Sequence, residues 1–92
     1  MKITSIQNKH IKELVKLKNK KERDSKNLFL IEGDHLIKEA LKDNLVVETL
    51  SYNENLKADT YITKEIMQKL SSQKSVSEVL AVCQKIKEKK NR

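Results

Sequence analysis

The chain has 92 residues, with 20 Lys or Arg against 13 Asp or Glu, a net charge of +7, one Gly, no Pro and no Trp. That length supports one domain with a modest core, and with one Phe and two Tyr the core must be aliphatic. One Cys and two His at unrelated positions exclude a disulfide framework and a metal cluster, and no run of about 18 apolar residues exists to span a membrane. The N-terminus has no apolar stretch of the signal-peptide kind, so the cytoplasm is the expected compartment.

Ser5 or Asn8 opens the first helix, because either side chain can accept a bond from a free amide at a helix start. Ile11, Leu14, Val15 and Leu17 follow at helical spacing, with Lys9, Lys12, Lys16 and Lys18 on the remaining positions. Asn19 to Asn27 has no apolar residue and reads as a frayed helix end or a loop. Leu28 to Ile31 is too short and too uniformly apolar for a helix, and reads as a strand covered on both faces. Gly33 sits where this strand becomes a helix, a place for a tight turn, and Asp34 is read as the cap of a helix running to about Asp43.

Leu45 to Leu50 reads as a second strand, Asn53 to Asp59 as a polar loop and Thr60 to Ile62 as a short third strand. Thr63 is expected to cap a short helix with Ile66, Met67 and Leu70 as its apolar stripe. Ser71 to Ser77 is polar, and Val79 to Val82 reads as the last strand. The alternation of strands and helices predicts an α/β fold with a small, partly parallel sheet and helices packed on it. The domain is expected over residues 1–84, with a basic tail or linker over 85–92.

The charge is sided. Lys9 to Lys26 holds eight Lys or Arg against three acids, and Lys85 to Arg92 holds five against one, while the body between them is slightly acidic. Such a field attracts polyanions. Lys9, Lys12 and Lys16 recur about one helical turn apart and share a face, so the row can neutralise several phosphates at once. Lys18, Lys20, Lys21 and Arg23 extend it, and the planar guanidinium of Arg23 can grip one phosphate through two bonds. His10 beside Lys9 could add a donor, or be a surface histidine with no role.

Glu32 ends a strand read as central in the sheet, where its carboxylate could accept bonds from nearby amides, pair with Arg23, or simply pin the segment that carries Arg23. No glycine-rich phosphate loop and no nucleophile with a His and an acid can be assembled, and Asp34 and Glu39 point in different directions on their helix. Nothing here forms a complete active site.

An Arg six residues before a Phe, then Glu-Gly, then Glu-Ala on a helix forms an ordered set: Arg23, Phe29, Glu32-Gly33 and Glu39-Ala40. With the opening Ser5-x-x-Asn8-x-x-Ile11-Lys12, the segment Lys20-Lys21-Glu22-Arg23 and the closing Leu80-Ala81-Val82, it resembles the N-terminal substrate-binding domain of SpoU-type (TrmH-type) RNA ribose 2′-O-methyltransferases over nearly the whole chain. Lys74 to Val79 departs from that pattern, lacking the Pro and Gly the family often has before its last strand.

The resemblance implies a three-layer α/β/α sandwich with a small mixed sheet, like the kink-turn-binding ribosomal proteins. It implies capture of structured RNA, ribosomal or transfer, with Asn8, Lys12 and Arg23 at or near the RNA and Glu32, Gly33 and Glu39 shaping the site. It also implies a following domain beyond Arg92 that binds S-adenosylmethionine and dimerises, so this chain is expected to be an excised or truncated domain without methyl-transfer activity of its own. The rival reading is a stand-alone RNA-binding protein of the ribosomal kink-turn class, although Glu32-Gly33-Asp34-His35 differs from the Gly-x-Asn-Glu element of those proteins. A third reading is a protein-interaction module whose basic ends only solubilise it.

Overall fold

Successive side chains of a strand point to opposite faces, and the last strand shows what this does in an uninterrupted apolar run. Leu80 and Val82 enter one buried cluster, while Ala81 and Cys83 enter another. A strand apolar at every position must be covered on both sides, so the sheet needs a helical layer on each face.

The computed structural model describes residues 1–85, so the expected basic tail lies outside the described residues except for Lys85. The elements are β1 (Lys2–Ile3), α1 (Lys9–Lys16), α2 (Lys20–Lys26), β2 (Leu28–Glu32), α3 (Asp34–Lys42), β3 (Val46–Ser51), β4 (Thr60–Ile62), α4 (Lys64–Leu70) and β5 (Val79–Gln84). The strands form one mixed sheet in the order β1-β4-β3-β5-β2. β1, β4 and β3 run parallel, and β5 lies antiparallel between β3 and β2. A register shift between Val46 and Glu48 bulges β3 and leaves Val47 exposed.

α1 and α4 cover one face. Ile11, Leu14 and Leu17 meet Ile66, Met67 and Leu70 over Ile3, Leu50, Ile62, Leu80 and Val82. α3 covers the other face, setting Ile37 and Ala40 against Ala81 and Cys83, with Phe29 and Ile31 packed beside them. This is the expected α/β/α sandwich. β2 is an edge strand rather than a central one and is half-buried throughout, with Leu28 and Leu30 packed toward α1 and α4, and Phe29 and Ile31 toward α3.

Three local expectations are corrected. Lys20–Lys26 is a helix, not a loop or a frayed end: Asn19 caps it, Lys20 pairs with Asp24 and Lys26 with Glu22 at i,i+4, and Asn27 closes it in the left-handed region at φ 60°. Asp34 is not the cap of α3 but lies inside its first turn; Gly33 takes the cap position with no side-chain hydrogen bond, at φ 96°. That backbone is the reason for glycine there, since a Cβ would meet only Ser77 Oγ at 3.9 Å. β1 is additional: its two residues pair with Tyr61 and Ile62 and are too few to carry a pattern.

Candidate nucleic-acid interface

α1 starts at Asn8, whose Oδ1 accepts the amides of His10 at 2.8 Å and Ile11 at 3.3 Å. Asn8, expected at or near the RNA, thus has its side-chain oxygen engaged as the helix cap. The apolar stripe of α1 fixes its rotation, because Ile11, Leu14 and Leu17 must enter the core. Lys9, Lys12 and Lys16 are therefore driven outward together, and all three are exposed. Lys9 and Lys12 have no ion-pair partner among the described residues, whereas Lys16 lies 3.4 Å from Glu13. Glu13 is shared with Lys26, and hydrogen bonds from Lys26 and then Lys16 lower its carboxyl below the usual range.

At the other end of this face, α2 presents Lys20 and Lys21. Lys20 holds Asp24 at 2.8 Å, and Lys85 at the end of β5 also pairs with Asp24. Lys21 is exposed with no ion pair among the described residues. Arg23 turns inward: its Nη1 donates to the carbonyls of Leu17 and Lys18, each at 3.0 Å, closing the C-terminal end of α1. Lys18 does the same for α4, donating from Nζ to the carbonyls of Lys69 at 3.1 Å and Ser71 at 3.3 Å. Cations at helix C-termini satisfy orphan carbonyls and oppose the dipole.

Glu32 does not pair with Arg23. Its Oε1 accepts from Ser71 Oγ at 2.7 Å and its Oε2 from the Ser72 amide at 3.0 Å. Glu32 and Arg23 nonetheless share the walls of one cleft of about 270 Å³, together with Leu17, Lys18, Phe29, Leu30, Leu70 and Ser72. The carboxylate thus ties the end of β2 to the segment after α4. Gly33 adjoins this cleft in sequence, and its amide donates to the Val79 carbonyl at 3.2 Å.

Glu39 is not part of this arrangement. It is exposed on α3, on the far side of the sheet from α1, beside His35, Lys38 and Lys42. Its carboxylate has no ion-pair partner among the described residues, and it stands away from the cleft that Glu32 and Arg23 share. Of the expected residues, then, Lys9, Lys12, Lys16, Lys20 and Lys21 present charge outward, while Asn8, Arg23, Glu32 and Gly33 build the frame.

The sequence reading missed one lysine of this surface, Lys69, and did not foresee that Lys18 of the basic set turns back onto α4. Lys69 of α4 borders a hollow shared with Lys12 and Lys16, and Lys18 locks α4 to α1. Lys69 follows Ile66 and Met67 on an amphipathic helix, but only the packing of α4 beside α1 sets it near Lys12. His10 Nε2 lies 2.7 Å from Glu48 Oε1, and Glu48 Oε2 accepts from Thr60 Oγ1 at 2.7 Å, which joins the start of α1 to the sheet.

Known proteins share this frame. A 48-residue stretch is 48% identical to the 23S rRNA (guanosine(2553)-2′-O)-methyltransferase RlmP of Bacillus subtilis (strain 168), covering 52% of this chain and 19% of that protein. The solved structure of an RNA 2′-O ribose methyltransferase superposes on all of this chain with a TM-score of 0.85 and 27% identity, over 40% of its own length. An rRNA methyltransferase from Sinorhizobium meliloti shares the fold at a TM-score of 0.79 and 17% identity, over 94% of this chain and 37% of that one. The chain thus spans well under half the length of these relatives. The model of the MRM3-like substrate-binding domain matches residues 8–91, from the Asn8 cap through every later element to β5, and the chain belongs to that family.

Proposed function

We propose that this chain is the substrate-recognition domain of an rRNA 2′-O-ribose methyltransferase, and that it captures structured RNA through the basic face of α1 and α2. The observation that carries the reading is the match of residues 8–91 to a substrate-binding domain. The exposed lysines of α1 and α2 support it, because a polyanion is the partner such a surface attracts.

Capture is electrostatic and follows RNA shape. Lys9, Lys12, Lys16, Lys20 and Lys21 supply charge, and the sheet with the Arg23 and Glu32 anchors holds them in one orientation. With a single Phe and two Tyr in the chain, stacking on splayed bases contributes little. On this reading the domain alone transfers no methyl group. S-adenosylmethionine and the dimer contacts belong to a catalytic domain after the 85–92 linker, and the whole acts in the cytoplasm.

The test is binding of the chain to a folded 23S rRNA fragment and to duplex DNA of equal length, each across a salt series. A steep salt slope with clear preference for the folded RNA is the expected result. Equal, weak binding to both would overturn the reading and leave the charge generic.

A further inference from the structure

The outer surface of α1 carries two hollows that meet at Val15 and Lys16. One, of about 390 Å³, is walled by Ile6, Gln7, Lys12 and Lys69, and the other, of about 490 Å³, by Lys18, Asn19 and Glu22. Together they form a groove that runs along α1 and draws one wall from α4. The first hollow has an aliphatic floor of Ile6 and Val15, both partly buried against the core, and a rim of Lys12, Lys16 and Lys69 with no acid among its walls. Lys12 and Lys69 have no ion-pair partner among the described residues, and the Nζ of Lys18 is already committed to two carbonyls.

We infer that this groove is the seat of one sugar–phosphate strand of a folded RNA, with α4 as the second half of the binding surface. The inference rests on the RNA-capture reading and names the place where capture happens. Three cations around an apolar floor match the strand's own division, with phosphates on the outside and ribose carbon faces on the inside. Lys12 and Lys16 are four residues apart, about 6 Å along a helix, a step comparable to that between neighbouring phosphates. Lys69 approaches from the facing helix, so the strand is gripped from two sides. The charge pattern disfavours an acidic peptide, whose carboxylates hang on side chains of varied reach and give no reason for an aliphatic floor between the cations.

The double variant Lys12→Ala/Lys69→Ala tests this with a labelled 23S rRNA hairpin across a salt series. A second double variant, Lys38→Ala/Lys42→Ala on α3, removes equal charge from the far side of the sheet. Val15→Glu adds a negative charge to the floor, and circular dichroism checks that each variant is folded. The groove variant should bind about tenfold more weakly at low salt, with a salt slope lower by about two. Val15→Glu should weaken binding at least as much, and the α3 variant should keep the wild-type slope. Equal losses in the two double variants, with wild-type binding intact, would overturn the groove while leaving RNA capture standing. A wild-type chain that binds no RNA would overturn both.

Discussion

Glu32 and Ser71, 39 positions apart in sequence, are joined by a 2.7 Å hydrogen bond at the mouth of the cleft, and Ser71 is buried there. The same carboxylate holds the Ser72 amide, so one side chain fixes the end of β2 against the exit of α4. Bonds to a charged group contribute more than neutral ones, and a buried donor left alone costs its desolvation. Glu32→Ala should therefore lower stability by about 1.5–3 kcal/mol, read from urea unfolding. Glu32→Gln should retain part of this, since its carbonyl oxygen can still accept from Ser71. An unchanged unfolding midpoint in Glu32→Ala would mean the tie contributes nothing.

Arg23 makes a complementary prediction. Because its guanidinium closes the end of α1, Arg23→Ala should destabilise the fold by about 1–2 kcal/mol. Arg23→Lys should recover only part of that, because the shorter lysine side chain ends short of the place from which Nη1 donates to both carbonyls. A variant of full stability that loses only RNA affinity would reassign Arg23 from the frame to the contact surface.

Asp24 gives a pH signature. Its hydrogen bonds from Lys20 and then Lys85 hold its carboxyl down at about 2, against an ordinary 3.8. A depressed carboxylate stabilises the fold above its ordinary value, and the contribution is lost as pH falls from there through about 2. Carbon-13 titration of the Asp24 carboxyl should show a midpoint near 2. Lys20→Ala should move it back toward 3.8, and a midpoint already at 3.8 in the wild type would show that neither lysine holds it.

Apart from the two-residue β1, the apolar pattern announced the elements whose side chains enter the core. Thr63 caps α4 by accepting from the Ile66 amide at 3.1 Å, as its position before the Ile66-Met67-Leu70 stripe suggests. α2 was illegible for the opposite reason: it buries nothing, so periodicity has nothing to mark, and only its Asn19 cap and i,i+4 pairs betray it. The partners of Glu32 and Lys18 were illegible because both lie more than 35 residues away and are brought near by sheet pairing and helix docking. Lysines facing solvent could be read from spacing; which cations turn back to cap a helix could not.

Cys83 should be inert in the native state. It is fully buried against α3, and that burial pushes its thiol above the ordinary range. A thiol reagent such as Ellman's should react with it only on unfolding. Rapid labelling of the native protein would show that the α3 layer opens easily.

The position of β5 between β2 and β3 sets the order in which the chain can fold. As the polypeptide leaves the ribosome, β1, β4 and β3 can pair with one another, but β2 has no partner until a strand that begins at Val79 arrives to join it to β3. Until that strand arrives, Leu80 and Val82 are missing from the core under α1 and α4, and Ala81 and Cys83 from the core under α3. Such non-local closure is slow and leaves a partly made chain open to misassociation. A nascent chain stalled before Val79 should remain protease-sensitive, because the sheet is completed late, by a strand that enters the slot between β2 and β3.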